Sequence, residues 1–155
     1  MTNPPLRKAA RVIVLDADQR VLLLRYDEND GFWATPGGSL ERGEDYSTAA
    51  LRELHEELGI AKENVRLSAQ LAERSHDHRV GRCYVRQVER YFVTHLPPCD
   101  IDPASAPQTD NIRAHRWWTL DELRSAQETV YPIELAELIT VFLTSGIPDR
   151  PVVLR

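Results

Sequence analysis

The chain has 155 residues, 42% hydrophobic and 28% charged, with a formal net charge of −5 at pH 7. That is enough chain for one globular domain, residues 1–155, whose core needs no metal or disulfide staple. The negative balance argues against the dense basic face on which non-specific binding of long nucleic acid depends. No uninterrupted apolar run is long enough to span a bilayer, and Met1 to Lys8 holds no apolar signal core. No membrane partner is expected, and a cytoplasmic location is the default. Cys83 and Cys99 form no C-x-x-C pair and read as reduced thiols, with a disulfide as the other option.

Arg11 to Leu15 is rich in β-branched residues and predicts a strand; Val21 to Tyr26 predicts a second, after an Asp-Ala-Asp-Gln turn. Phe32 to Thr35 predicts a short strand that stops at Pro36, and Gly37 and Gly38 then punctuate the chain. Asp45 to Leu58 is the clearest helix, with Asp45 near its start and Gly59 just past its end. Val65 to Glu73 and Cys83 to His95 predict strands, with His76, Asp77 and His78 in a polar loop between them. Leu96 to Asn111 is proline-rich and predicts a loop, and Ile112 to Trp118 another strand. Thr119, with Glu122 three residues on, has the pattern of a capping box before a short helix. Pro132 to Leu143 predicts a last helix. No repeat and no linker divides the chain, and the mixture of strands and helices indicates an α/β (α+β) sandwich.

Chemistry concentrates in Gly38 to Ile60. At about 100° per residue, Glu53, Glu56 and Glu57 fall within roughly a third of the helix circumference. Leu51, Leu54 and Leu58 fall on a neighbouring arc, so an apolar stripe lies beside a carboxylate stripe. Three carboxylates on one face repel one another, and a hard divalent cation relieves that repulsion. Oxygen-only ligands suit Mg²⁺, with Mn²⁺ as a substitute, and Mg²⁺ completes its shell with water and substrate phosphates. A bare Glu-rich face is more often simply solvated, and Arg52 and Glu56 alone would make an ordinary i, i+4 surface pair.

The whole segment decides between these readings. Gly38, Glu44, Arg52, Glu53, Leu54, Glu56, Glu57, Gly59 and Ile60 fill every defined position of G-x5-E-x7-R-E-U-x-E-E-x-G-U, with U a bulky aliphatic residue. The segment thus resembles the Nudix box, and the flanking strands and C-terminal helix resemble the same family more weakly. The resemblance implies an α/β/α sandwich with a mixed central sheet. It also implies metal-dependent hydrolysis of a diphosphate linkage by water attack at phosphorus. Glu53, Glu56, Glu57 and the carbonyl of Gly37 would hold the metal, and Arg52 and Glu44 would orient the site. The general base would be a box glutamate, above all Glu53, or a carboxylate from outside the box. Glu89 is the outside candidate, although it would equally suit the solvent face of its strand.

Arg25 could reach a substrate phosphate or form a surface salt bridge. Trp33, Trp117 and Trp118 could stack on a base or fill the core. The expected substrate is a small nucleotide-like diphosphate, a nucleoside diphosphate linked to another group. A dinucleoside polyphosphate or capped RNA is the narrower alternative. No proline lies between Ala61 and His95, so the mark of ADP-ribose hydrolases is absent, and Tyr84 lies too far on for the tyrosine of the dinucleoside polyphosphate group. A non-catalytic nucleotide-binding regulator is the competing class, but such proteins typically carry a degenerate box and this box is intact. Oligomeric state is not legible in the sequence.

Overall fold

In the computed structural model, residues 3–107 and 112–155 are described. The central strand β1 (Leu6–Leu15) is longer than the predicted Arg11 to Leu15, because Leu6 to Ala10 pair with a distant partner that local pattern does not reveal. It runs parallel to β6 (Cys83–His95), from Leu6↔Arg86 to Leu15↔His95. Its other edge is shared between two antiparallel partners. Near Leu15 it meets β2 (Val21–Tyr26), and near Ala10 it meets β4 (Gly37–Ser39). The change of partner brings Gly37 and Gly38 against Arg11 and Ala10.

Among the described residues nine strands form one mixed sheet, in the order β8-β3-β2-β1-β6-β5-β9, with β4 on β1 and β7 on β2. The remaining strands are β3 (Phe32–Ala34), β5 (Ala72–Val80), β7 (Ile112–Trp118), β8 (Val130–Tyr131) and β9 (Val152–Leu154). Alternation along β1 assigns the two faces. Ala10, Val12 and Val14 pack with Ala49, Ala50, Leu54 and Leu58 of α1 (Tyr46–Leu58). Ile13 and Leu15 pack with Leu135, Leu138 and Ile139 of α3 (Leu135–Ser145). A strand covered on both faces is apolar throughout its middle, which is why Val12 to Leu15 show no polar alternation. The sandwich with a mixed central sheet is therefore present as predicted.

Asp45 caps α1, its carboxylate accepting from Thr48 N–H at 2.8 Å, and Gly59 closes the helix in the left-handed conformation. Thr119 and Glu122 form the reciprocal capping box of α2 (Leu120–Arg124), as their spacing indicates. The last helix starts at Leu135 rather than Pro132, after the short strand β8.

Two expectations fail between residues 65 and 80. Val65 to Leu71 is not a strand; β5 begins at Ala72. The segment lies along β6, but Val93 N–H donates to the Ser68 hydroxyl instead of a backbone carbonyl, so a side chain takes one rung of the ladder. His76, Asp77 and His78 lie within β5, not in a loop. A two-residue turn at Gly81 and Arg82, with Val80 paired to Cys83, continues the strand far beyond the predicted end. The loop after His95 contains short turns at Pro98–Asp100 and Pro103–Ser105; its last positions, 108–111, lie outside the described residues. Cys83 and Cys99 are free and exposed.

Candidate active site

The carboxylates of α1 are held by its apolar stripe. Leu54 and Leu58 anchor one side of the helix to the sheet. That burial rotates Glu53, Glu56 and Glu57 toward the loop that carries Gly37 and Gly38. The approach is close enough to require glycine. A Cβ at Gly37, whose φ is +147°, would lie 2.0 Å from the Ala10 carbonyl oxygen, and one at Gly38 would lie 2.5 Å from a Glu53 carboxylate oxygen.

Arg52 organises this end of the helix. Its Nε and Nη2 donate to the two oxygens of Glu44, each at 2.8 Å, in a bidentate pair. Nη2 also donates to the Ser39 carbonyl at 2.9 Å, and Nη1 donates to Glu53 and Glu56, each at 3.0 Å. The guanidinium thus binds Glu44 and two carboxylates of the helix at once. The hydrogen bonds from Arg52 hold the Glu44 carboxyl below its ordinary range.

Glu57 is held differently. It is buried, accepting from Tyr26 O–H at 2.9 Å and from Gly37 N–H at 2.8 Å. Burial, reinforced by the charge of Glu53, pushes its pKa up to about 7. Burial also raises Glu53, against the pull of Arg52. In both, burial disfavours the charged form, and a hard cation would favour it again. The donor set of carboxylates and a backbone carbonyl suits such a cation. In the arrangement described, however, no three acidic, histidine or cysteine side chains converge on one point among the described residues. Arg52 holds Glu53 and Glu56, and Tyr26 and the Gly37 amide hold Glu57.

Glu89 is not on a solvent face. It is 4% exposed, on the face of β6 that Tyr91 and Val93 use for the core. Arg11 Nε donates to it at 2.9 Å and Arg74 Nη1 at 3.0 Å, with Gln87 at 3.2 Å and Tyr91 O–H at 3.4 Å. Burial would raise this carboxyl, but the two arginines hold it below its ordinary value. Arg11 also donates through Nη1 to the Gly37 carbonyl at 3.1 Å, which links this cluster to the glycine loop.

Arg25 and Trp33 stand apart from this arrangement. Both bind Glu128, Arg25 as a salt bridge and Trp33 through its indole N–H at 2.7 Å. Trp33 is buried and packs edge-on against Trp118 at 5.3 Å. Arg25 thus makes the salt bridge, and Trp33 the core packing, that were their other readings in the sequence. Trp117 is partly buried against the α1-side core. His55 is exposed on α1. Sequence reasoning missed Arg11, Tyr26 and Arg74. The available signal was Arg11 itself, a charge at the same alternation as Ile13 and Leu15 directly before the apolar run Val12 to Leu15.

Residues 5–139 match the family model of the NUDIX domain. An RNA pyrophosphohydrolase of Sphingopyxis alaskensis is 32% identical over 128 residues, covering 77% of this chain and 81% of that protein. A second, of Pelagibacter ubique, is 46% identical over 59 residues, a match confined to 37% of each chain. A NUDIX hydrolase structure from Nitrosomonas europaea superposes with a TM-score of 0.68 at 18% identity, covering 94% of this chain and 92% of that one, and so agrees in fold. No helix among the described residues is long and apolar enough to cross a membrane. With its box intact in sequence and the box residues gathered at one end of α1, the chain belongs to the Nudix hydrolase family.

Proposed function

We propose that this enzyme hydrolyses a phosphoanhydride bond in a nucleoside diphosphate linked to a further group, with Mg²⁺ as its cation and Mn²⁺ as a substitute. The observation that carries the proposal is the convergence of box carboxylates on the glycine loop: Glu53 lies against Gly38, Glu57 accepts from the Gly37 N–H, and Arg52 ties Glu53 to Glu56. Glu53, Glu56, Glu57 and the Gly37 carbonyl would hold the cation. When bound, it would neutralise phosphate charge and lower the barrier to attack by water.

Arg52 and Glu44 act as positioning residues, fixing Glu53 and Glu56 on the helix face. The water's oxygen forms a bond to phosphorus and its proton passes to a carboxylate. The bridging P–O bond breaks, and its electron pair leaves with the departing phosphate group. Glu53 is the better base. Its proton affinity is raised by burial, whereas both oxygens of Glu89 accept from arginines and its proton affinity is lowered. Glu89 is better suited to hold Arg11 and Arg74 in place.

A second substrate, the 5′ end of an RNA, is favoured by the names of the relatives, although the net charge of −5 offers no broad electrostatic hold on a long strand. A Mg²⁺-supplemented panel in ¹⁸O water separates these readings. It should include nucleotide sugars, dinucleotides, nucleoside triphosphates, a 5′-triphosphorylated oligoribonucleotide and p-nitrophenyl phosphate. The expected result is label in a phosphate product of at least one diphosphate compound and little turnover of the monoester. Robust monoester hydrolysis with every diphosphate untouched would overturn the proposal, and absence of all turnover despite nucleotide binding would favour a regulator.

A further inference from the structure

One cation touches both the glycine loop and the strand cluster. Arg11 donates from Nη1 to the Gly37 carbonyl and from Nε to Glu89, through different nitrogens of one guanidinium. The same peptide unit of the loop is tied to Glu57 through its other end, since Gly37 N–H donates to that carboxylate at 2.8 Å. Arg11 is packed there firmly. Its Cα and Cδ each lie 2.9 Å from where a Cβ on Gly37 would stand, and its side chain is 20% exposed. Its charge acts on both Glu53 and Glu57. Arg11 thus supplies positive charge where the proposed function places a cation.

We infer that Arg11 stands in for the cation in the metal-free protein and competes with it for the Gly37 carbonyl. The inference rests on the proposed function for the existence of a cation site at Gly37 and α1. A guanidinium and a divalent cation drawn to one carbonyl oxygen repel each other, more strongly than in water because the site is partly dry. Arrival of the cation therefore displaces the Nη1 contact. The Nε contact to Glu89 need not break, because it uses another nitrogen and another strand. The displaced guanidinium edge stays beside the site as a donor for a phosphate oxygen of the substrate. The exchange makes the cation weakly held in the absence of substrate and better held when phosphate charge is present to receive Arg11, a coupling that works in both directions.

Two measurements with opposite expected signs test this. The first is the dissociation constant of Mn²⁺ alone, read by electron paramagnetic resonance of the free ion. The second is kcat/KM on the best diphosphate of the panel. Arg11→Met and Arg11→Gln should each bind Mn²⁺ about tenfold more tightly than the unaltered protein, yet lose at least tenfold in kcat/KM. Arg11→Lys, which keeps the charge, should stay within about twofold of the unaltered Mn²⁺ affinity. A purely structural role for Arg11 would weaken both quantities together. If both neutral variants melt cooperatively but bind Mn²⁺ no better than the unaltered protein, the inference is overturned while the proposed function stands. If the unaltered protein binds no Mn²⁺ at millimolar concentration, both fall.

Discussion

Around Arg52 three carboxylates accept hydrogen bonds from one guanidinium; around Glu89 two guanidiniums donate to one carboxylate. The two clusters have opposite charge balances, and Arg11 reaches from the second to the Gly37 peptide, whose N–H binds Glu57 beside the first. The first leaves negative charge over, and burial raises Glu53 within it and Glu57 beside it. The second leaves positive charge over, expressed in a depressed Glu89. A phosphoanhydride and its cation need both kinds of partner side by side, one to hold the metal and one to hold phosphate oxygens. The pairing also explains why acidic residues in the two clusters should not have the same role.

The strongest way to break this comparison is to neutralise one carboxylate in each cluster. Glu53→Gln and Glu57→Gln should each lower kcat by about three orders of magnitude, the scale of losing a cation ligand or general base. Cooperative melting would show that the fold survives. Glu89→Gln should instead act mainly on stability. It leaves Arg11 and Arg74 without their buried counter-charge, a loss of about 3 kcal/mol, while kcat falls no more than about tenfold, the modest end of acid–base effects. Denaturant unfolding beside steady-state kinetics resolves the two. A thousandfold fall in kcat for Glu89→Gln with stability unchanged would return the base to the strand.

A smaller effect sharpens the Arg52 side. Arg52→Lys keeps the charge but cannot make a bidentate pair with Glu44 while also reaching Ser39, Glu53 and Glu56. An activity loss of about tenfold is expected, about 1.4 kcal/mol of transition-state stabilisation, with part of it regained at higher Mg²⁺. Full activity in that variant would mean that geometry at Arg52 is unimportant and only its charge counts.

The two clusters differed equally in how far they could be read beforehand. In the Arg52 cluster a helical period brings Arg52 and Glu56 together, whereas Glu44, ahead of the helix, is assigned to the site only by the resemblance to the Nudix box. The Glu89 cluster joins strands far apart in the chain. Arg11 and Glu89 are 78 residues apart, and Arg74 meets Glu89 only because the β5–β6 hairpin aligns them. Its burial was hidden because a charge within a strand is ordinarily assigned to the wet face, and only the alternation of Gln87, Glu89, Tyr91 and Val93 reveals the inner one. Val65 to Leu71 failed for a different reason. Its apolar alternation suits a strand, but the Ser68 hydroxyl occupies the hydrogen-bonding position that a ladder would need.

The smallest expected effect is a pH dependence, and it has opposite signs in the two clusters. Burial pushes the pKa of Glu57 up to about 7 from its ordinary value of 4.5. Between those values the metal-free native state binds more protons than the unfolded chain, so stability falls as pH rises through the window. What the protonated Glu57 contributes is complete below the unfolded value and gone above about 7. Glu89, being depressed, contributes stability that is present above the ordinary carboxylate range and is lost as pH falls through its lowered native value. A cation at Gly37 and α1 takes only the ionised form of Glu57, so it must displace that proton at low pH and need not do so at high pH. The melting-temperature gain from 5 mM Mg²⁺ should therefore be larger at pH 8 than at pH 5.5, by about 5 °C for a chain of this size. Glu57→Gln should narrow the widening to what the raised Glu53 still supplies, and Glu89→Gln should leave it in place. Thermal melts at four pH values across that range, with and without Mg²⁺, measure it directly. A gain that stays constant with pH would mean that Glu57 keeps its proton, or lies outside the cation's reach, and the division of labour between the clusters would then have to be redrawn around Glu53 and Glu56.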